Sequence, residues 1–297
     1  MFLCRVITKR STDSILNERE LLATLRHKFI VNMLYAFQDE ENLYIMMNIM
    51  EGGDLRYHLS KMTIFTEGET KFMIACIITA LDYLHSKMVI HRDVKPENVV
   101  FDKEGYAYLT DLGIAKHLRQ NNSEDTSGTP GYMAPEVMFH HNHRYEVDYF
   151  ALGVIIYEIM MGRRPYLGKS RQEIKQKIKE KQVIIPKRDI PEGWSIEAAD
   201  FVNKLLQRKP IERLGWAGIY EIKEHPWLRY FPWADLLSGK LESPMKRFYN
   251  HAEVRYRPTE NDTSYNRMLH KNKDMLKKGA MQDFFEGYTF EDFVSTA

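Results

Sequence analysis

From Thr12 to Leu25 the apolar positions Ile15, Leu16, Leu21, Leu22 and Leu25 fall on one side of a helical wheel, and the spacing predicts an amphipathic helix. Two β-type runs follow, Phe29 to Phe37 and Leu43 to Met47, with the polar turn Asp39-Glu40-Glu41-Asn42 between them. Gly52-Gly53 breaks the pattern and predicts a hinge between a small N-terminal part and a larger one. Thr66-Glu67-Gly68-Glu69 has the spelling of a capping box, and Met73, Ile77, Leu81 and Leu84 continue from it at helical spacing, so a long helix is expected. Short strands, Val99–Phe101 and Tyr106–Leu109, are expected around the turn Asp102-Lys103-Glu104-Gly105. After a polar loop, Asn121 to Gly128, a helix is expected from about Val147 to Met161, then helices alternating with Pro-bounded loops to about Trp227. Beyond Pro226 the chain turns polar and irregular, with Pro232, Pro244 and Pro258, and reads as a tail wrapping the domain.

Length and charge narrow the class. A chain of 297 residues is one large domain or two modest lobes. Lys and Arg number 42 against 41 Asp and Glu, a net charge of +1, which excludes a strongly basic nucleic-acid coat. Two cysteines, Cys4 and Cys76, are too few for a disulfide framework and fit a reducing compartment, with Cys76 as a small core residue. The apolar stretch Val147 to Met161 is interrupted by Asp148 and Glu158 and is too short to span a bilayer. Arg5, Lys9, Arg10, Asp13 and Glu18 interrupt any signal-peptide core. The expected setting is the cytoplasm, with the nucleus open, and the expected state a monomer.

Candidate chemistry begins at His91-Arg92-Asp93-Val94-Lys95-Pro96-Glu97-Asn98, a loop between the long helix and a short strand. Asp93 could orient a hydroxyl nucleophile and accept its proton, Lys95 could neutralise a phosphate oxygen, and the Asn98 amide oxygen suits a hard divalent cation. The alternative is a solvated polar loop. Thr110-Asp111-Leu112-Gly113 then offers a second acid at a strand end, so Asn98 and Asp111 together could bind Mg²⁺, though such a tripeptide alone is often an ordinary turn. Gly128-Thr129-Pro130-Gly131-Tyr132-Met133-Ala134-Pro135-Glu136 is rigid and apolar enough to shape a peptide-binding ledge.

In this order and spacing the motifs resemble those of eukaryotic protein kinases, and the resemblance covers nearly the whole chain. Asn17-Glu18-Arg19, Asn42-Leu43-Tyr44, Gly52-Gly53-Asp54-Leu55 and Gly128-Thr129-Pro130 resemble the AGC group, which includes the cyclic-nucleotide-dependent kinases. Gly53-Asp54-Leu55-Arg56-Tyr57-His58-Leu59 is similar to its YANK subgroup. The resemblance implies an α+β, two-lobed protein kinase-like fold: a partial small lobe over 1–50, a large, mainly helical lobe over 51–227 and an AGC-type tail over 228–297. It implies a serine/threonine protein kinase using ATP and Mg²⁺, with Asp93 as catalytic base, Lys95 as the substrate-side phosphate contact, and Asn98 and Asp111 as metal ligands. Glu18 resembles the αC glutamate that pairs with a strand lysine. Met47 would be the gatekeeper, Asn48 and Met50 hinge contacts to adenine, Asp54 near the ribose and Val100 beneath the ring. Leu22, Met33, His91 and Leu112 resemble a stacked spine. Glu136 with Arg213 resembles a buried brace, and Asp148 an anchor for the catalytic-loop backbone. Asp54, Glu97 and Glu158 fall where related kinases place acids facing substrate arginines, which implies protein substrates with Ser or Thr near basic residues.

The chain also departs from the pattern. No G-x-G-x-x-G occurs in it, and the lysine partner of Glu18 would fall upstream of Met1. The expectation is a fragment of a functional kinase, the alternative a catalytically weak pseudokinase scaffold. Asp125 stands where the group carries an activating phosphothreonine and could pair with Arg92; alternatively an upstream kinase modifies Thr126 or Ser123, or Asp125 is simply a loop acid. Phe285-Glu286-Gly287-Tyr288-Thr289-Phe290 resembles the group's hydrophobic motif, whose aromatics need a groove beside the αC helix. His270, Lys271, Lys273, Lys277 and Lys278 read as a solvated face rather than a nucleic-acid site.

Overall fold

A computed structural model describes residues 12–39, 42–61, 65–246 and 287–291. Their architecture is the α+β one the sequence predicts, divided into two compact units. One gathers described residues of 12–27, 31–49 and 287–291, the other those of 28–30 and 50–246.

The smaller unit is a helix against a three-stranded antiparallel sheet. The helix spans Thr12–Thr24 and buries Ile15, Leu21 and Leu22, with Leu25 buried just beyond it. Strand Met33–Gln38 is central in the sheet, between Leu43–Met47 and the distant Phe290–Glu291. Phe37 faces Tyr44 across the first pair, their rings stacked at 4.7 Å. Asp39 closes the turn, its Oδ1 accepting the Asn42 amide at 2.7 Å. The β-run expected from Phe29 is shorter than predicted. Phe29 O accepts the Leu109 amide at 2.9 Å and Ile30 bridges Leu109, so these residues serve the larger unit.

Two buried helices build the core of the larger unit. Glu67–Ser86 opens with the expected capping box: the Glu69 amide donates to Thr66 Oγ1 at 3.2 Å and the Thr66 amide to Glu69 Oε2 at 2.9 Å. Its predicted stripe is fully buried, but so are Ile74, Cys76, Ile78 and Ala80 on other faces, so this is a core helix rather than an amphipathic one. Glu146–Met161 is buried at every position except Glu158 and Met161 and ends at Gly162, in the left-handed region. It packs against Ile196–Leu205 with Gly153 at the crossing, where a Cβ would lie 2.8 Å from Leu205 Cβ. Two short antiparallel ribbons, Val89–Ile90 with Lys116–His117 and Val99–Phe101 with Ala107–Leu109, carry the loops that matter for chemistry. The segment beyond Pro226 is more regular than its composition predicts: Trp233–Ser238 is helical, and Trp227, Leu228, Leu236 and Met245 are buried. No helix among the described residues is long and apolar enough to cross a membrane.

Candidate active site

Asp148, 1% exposed on the core helix, fixes the loop that follows strand Val89–Ile90. Its carboxylate accepts the backbone amides of His91 at 2.9 Å and Arg92 at 2.8 Å, and the His85 ring at 2.9 Å. Burial works to raise this carboxyl, but those hydrogen bonds win and hold it below the ordinary value. The anchored amides hold Arg92 at φ 68°, a conformation a non-glycine residue adopts only when its surroundings impose it. His91 is fully buried; its Nδ1 accepts the Asp93 amide at 3.3 Å, so Nε2 carries the proton directed at the Thr110 carbonyl, 3.1 Å away.

Beyond this corner Asp93, Lys95 and Asn98 converge. Asp93 Oδ2 accepts Lys95 Nζ at 2.5 Å and Asn98 Nδ2 at 3.3 Å, and Asn98 Nδ2 also donates to the Asp93 carbonyl at 2.9 Å. Asp93 Oδ1 accepts both the amide of Thr129, at 3.1 Å, and its hydroxyl, at 2.8 Å. Lys95 Nζ donates to that same hydroxyl oxygen at 3.1 Å. Burial pushes the Asp93 carboxyl up, but Lys95 and Thr129 outweigh it, and the acid lies below its usual range and is ionised. Thr129 belonged to a recognised motif but had no assigned role; nothing local in the sequence sets its hydroxyl beside Asp93.

Asn98 is tied to the second acid through the ribbon. Val99 pairs with Leu109, and the Thr110 amide donates to the Asn98 carbonyl at 3.0 Å, so Asp111 follows directly on the residue opposite Asn98. Asp111 is exposed at φ 66°, its Oδ1 accepting the Gly113 amide at 3.1 Å. With its amide nitrogen spent on Asp93, Asn98 turns Oδ1 the other way, where it accepts no hydrogen bond among the described residues. One amide oxygen and one carboxylate are hard donors, too few to cage a metal alone, and no group of three His, Cys, Asp or Glu among the described residues could do so. That donor set fits Mg²⁺, which keeps waters and shares its shell with phosphates.

The remaining assigned residues divide between the units. Met50, Asp54 and Val100 lie in the larger one, where Asp54 bridges Val100 and the Gly52 amide donates to the Phe101 carbonyl at 2.8 Å. Glu18, Met47 and Asn48 lie in the smaller one; Met47 is 42% exposed at the end of its strand, and the Asn48 amide donates to the Asn32 carbonyl at 3.2 Å. Leu22 and Met33 are buried in the smaller unit, and His91 and Leu112 in the larger. Arg213 forks onto Glu136 at 2.6 and 2.9 Å, both nearly inaccessible, a brace within the large unit. Asp125 hydrogen-bonds Lys116 and lies 3.7 Å from Arg92 Nη1, which itself finds no hydrogen-bond partner among the described residues. Burial raises the Asp125 carboxyl, but those two cations prevail and lower it.

Two of the three acids expected to face substrate arginines, Glu97 and Glu158, face one of the chain's own. Arg56 Nε donates to Glu97 Oε1 at 2.9 Å, Nη1 to Glu158 Oε1 at 3.0 Å, and Nη2 to Glu158 Oε2 at 3.3 Å and to the Tyr132 hydroxyl. Tyr132 in turn donates to Glu158 Oε2 at 2.5 Å. Asp54, the third acid, caps the helix that carries Arg56, its Oδ1 accepting the Tyr57 amide at 2.8 Å. The sequence carries the signal for this clasp, an arginine two residues past the acid of a Gly-Gly-Asp string, but only the fold brings it to Glu97 and Glu158.

Of the C-terminal motif, Gly287–Phe290 are described; Phe285, Glu286 and the basic run from His270 lie outside the described residues. Tyr288 is 2% exposed, and burial together with the Glu18 charge pushes its phenol up to about 12. Arg19 donates to the Tyr288 carbonyl at 3.0 Å and the Thr289 carbonyl at 2.7 Å, and its guanidinium lies 5.9 Å from the Phe290 ring. The described part of the motif, Tyr288–Phe290, thus lies against the Thr12–Thr24 helix through Arg19.

Comparison with known proteins agrees with the geometry. A family model described as a protein kinase domain matches residues 3–228. The chain is 39% identical over 241 residues to a probable serine/threonine-protein kinase of Dictyostelium discoideum, covering 80% of this chain and 52% of that one. It is 36% identical to a cAMP-dependent protein kinase, catalytic subunit-like, of Caenorhabditis elegans, over 81% of this chain and 60% of that one. To ribosomal protein S6 kinase 2 alpha of Xenopus laevis it is 35% identical over 92% of this chain and 37% of that one. The chain therefore spans between about a third and three fifths of the length of these relatives.

Proposed function

Because the chain belongs to the protein kinase domain family, with AGC-type relatives, we propose that it transfers the γ-phosphoryl group of ATP to serine or threonine hydroxyls of protein substrates. The observation that carries this reading is the mutual hydrogen bonding of Asp93, Lys95, Asn98 and Thr129 around one ionised carboxylate. Asp93 orients the incoming hydroxyl and takes its proton as that oxygen bonds to phosphorus; the bond from phosphorus to the β,γ-bridging oxygen breaks and ADP leaves. A base with a depressed pKa accepts that proton late, so its first task is aim. Lys95, already paired with Asp93, meets the charge gathering on the transferred oxygens. Mg²⁺, for which Asn98 Oδ1 and Asp111 supply suitable oxygens, neutralises phosphate charge when bound. Met50, Asp54, Val100, Glu18, Met47 and Asn48 are assigned to the nucleotide on the resemblance alone.

Two carboxylates against one guanidinium at Glu97, Glu158 and Arg56 leave a negative patch that draws basic protein substrates over distance. Asp125, near Arg92 and bound to Lys116, supports a partial stand-in for a loop phosphate, with an upstream kinase acting at Thr126 or Ser123 as the rival. The same proposal sets the protein in the cytoplasm or nucleus.

The test is phosphate transfer from labelled ATP to a mixed Ser/Thr peptide pool. Asp93→Asn should lower the rate by about 10²–10⁴-fold with the fold retained. Equal rates from both forms would overturn the assignment of the base, and no transfer by either would favour a non-catalytic scaffold.

A further inference from the structure

A protein substrate whose hydroxyl reaches Asp93 must lie along the loop that carries it, and that loop continues to Glu97, two residues past Lys95. Tyr132 stands three residues past Thr129, the residue that touches Asp93 from the other side. Asp93, Thr129 and Tyr132 line one cavity, and Tyr132 and Glu97 both belong to the Arg56 clasp. A guanidinium docks best on a carboxylate with both oxygens open to a planar fork. Here both oxygens of Glu158 and one of Glu97 are already taken, and by a guanidinium. Arg56 is two-thirds covered, and its side chain springs from a short helix held at its start by Asp54.

We propose that Arg56 is a built-in occupant of an arginine-accepting acid pair and closes that subsite, so that this chain selects its substrates without an arginine there. The proposal rests on the phosphoryl-transfer reading for where a substrate lies. A substrate arginine would have to displace a tethered competitor whose effective concentration is about millimolar or higher, far above that of a typical protein substrate. The clasp thus acts against arginine-bearing targets while leaving the patch's long-range attraction for positive charge in place.

The test measures equilibrium binding of fluorescent serine peptides by the full chain, with each position within four residues of the serine switched between arginine and norleucine. The unmodified chain should show an arginine-to-norleucine ratio within about threefold at every position, whereas Arg56→Met should raise the ratio at one position about tenfold. In the Arg56→Met background, Glu158→Gln should abolish the rise. Should Arg56→Met fail to fold, Arg56→Lys keeps a cation but cannot fork across two carboxylates, and a rise of about threefold is expected. A strong arginine preference in the unmodified chain, or no rise in any Arg56 variant, overturns the proposal. Phosphate transfer recorded alongside separates the two readings: its absence with the rise intact fails only the kinase assignment, and its presence without the rise fails only the clasp.

Discussion

Asp93 sets the terms at the scale of single residues, because one carboxylate receives Lys95, Asn98 and Thr129 at once. Its value in the folded chain lies below the ordinary one, so the stability and the reactivity that depend on its ionised form are complete above the usual carboxylate range and are lost only as pH falls through that lowered value. Thr129 is one of the groups that hold it down. Thr129→Val removes the hydroxyl while keeping the amide and the shape, so the acid limb of the phosphate-transfer rate should move to higher pH, with the alkaline side unchanged. An unmoved acid limb would mean that a different group titrates there. What the sequence could supply was the list of actors: Asp93, Lys95, Asn98 and Asp111 stand in a recognisable order. It could not supply their posture. That Asn98 spends its nitrogen on Asp93 depends on how the loop folds across the five positions between them, and that Arg56 fills acids expected to face a substrate depends on contacts 41 and 102 positions away in sequence.

Elements were legible where local chemistry decides them. The capping box at Thr66 is a four-residue code, and it opens the helix where predicted. Glu146–Met161 was legible by its unbroken apolar run. Pro135–Met138 was missed because one turn of helix is too short to show a period, and the run from Phe29 was over-extended because it is shared between two cores. Gly153 makes the tertiary contribution explicit. A glycine inside a helix costs about 1 kcal/mol relative to alanine, a loss tolerated here because Leu205 and Leu206 lie against it. Gly153→Val inserts a Cβ 2.8 Å from Leu205 Cβ in a pair of packed helices. We expect a loss of about 1–3 kcal/mol in urea denaturation, and more if the helices separate. A neutral result would show that the crossing has slack the distances do not.

For the molecule as a whole, the smaller unit is the informative one, since it is closed by a strand from the far end of the chain. Phe290–Glu291 completes its sheet beside Tyr35 and Ala36, and Arg19 clamps the same segment through the carbonyls of Tyr288 and Thr289, 269 and 270 residues away in sequence. A two-residue strand is too short to hold by pairing alone. The clamp, together with burial of Tyr288, has to offset the entropy of closing so long a loop, which grows only slowly with length. Two hydrogen bonds from a charged group contribute about 1.5 kcal/mol or more between them when partly exposed, which is about tenfold in the local opening equilibrium. Arg19→Ala should therefore speed hydrogen exchange of the Met33–Gln38 strand about tenfold, measured by mass spectrometry on the peptides that cover it. Exchange in Glu67–Ser86, which belongs to the other unit's core, should not change. Unchanged protection at Met33–Gln38 would mean that Tyr288 burial holds the tail strand without the arginine. Equal acceleration in both segments would mean that the two units open as one, and the clamp would then be a property of the molecule rather than of its smaller half.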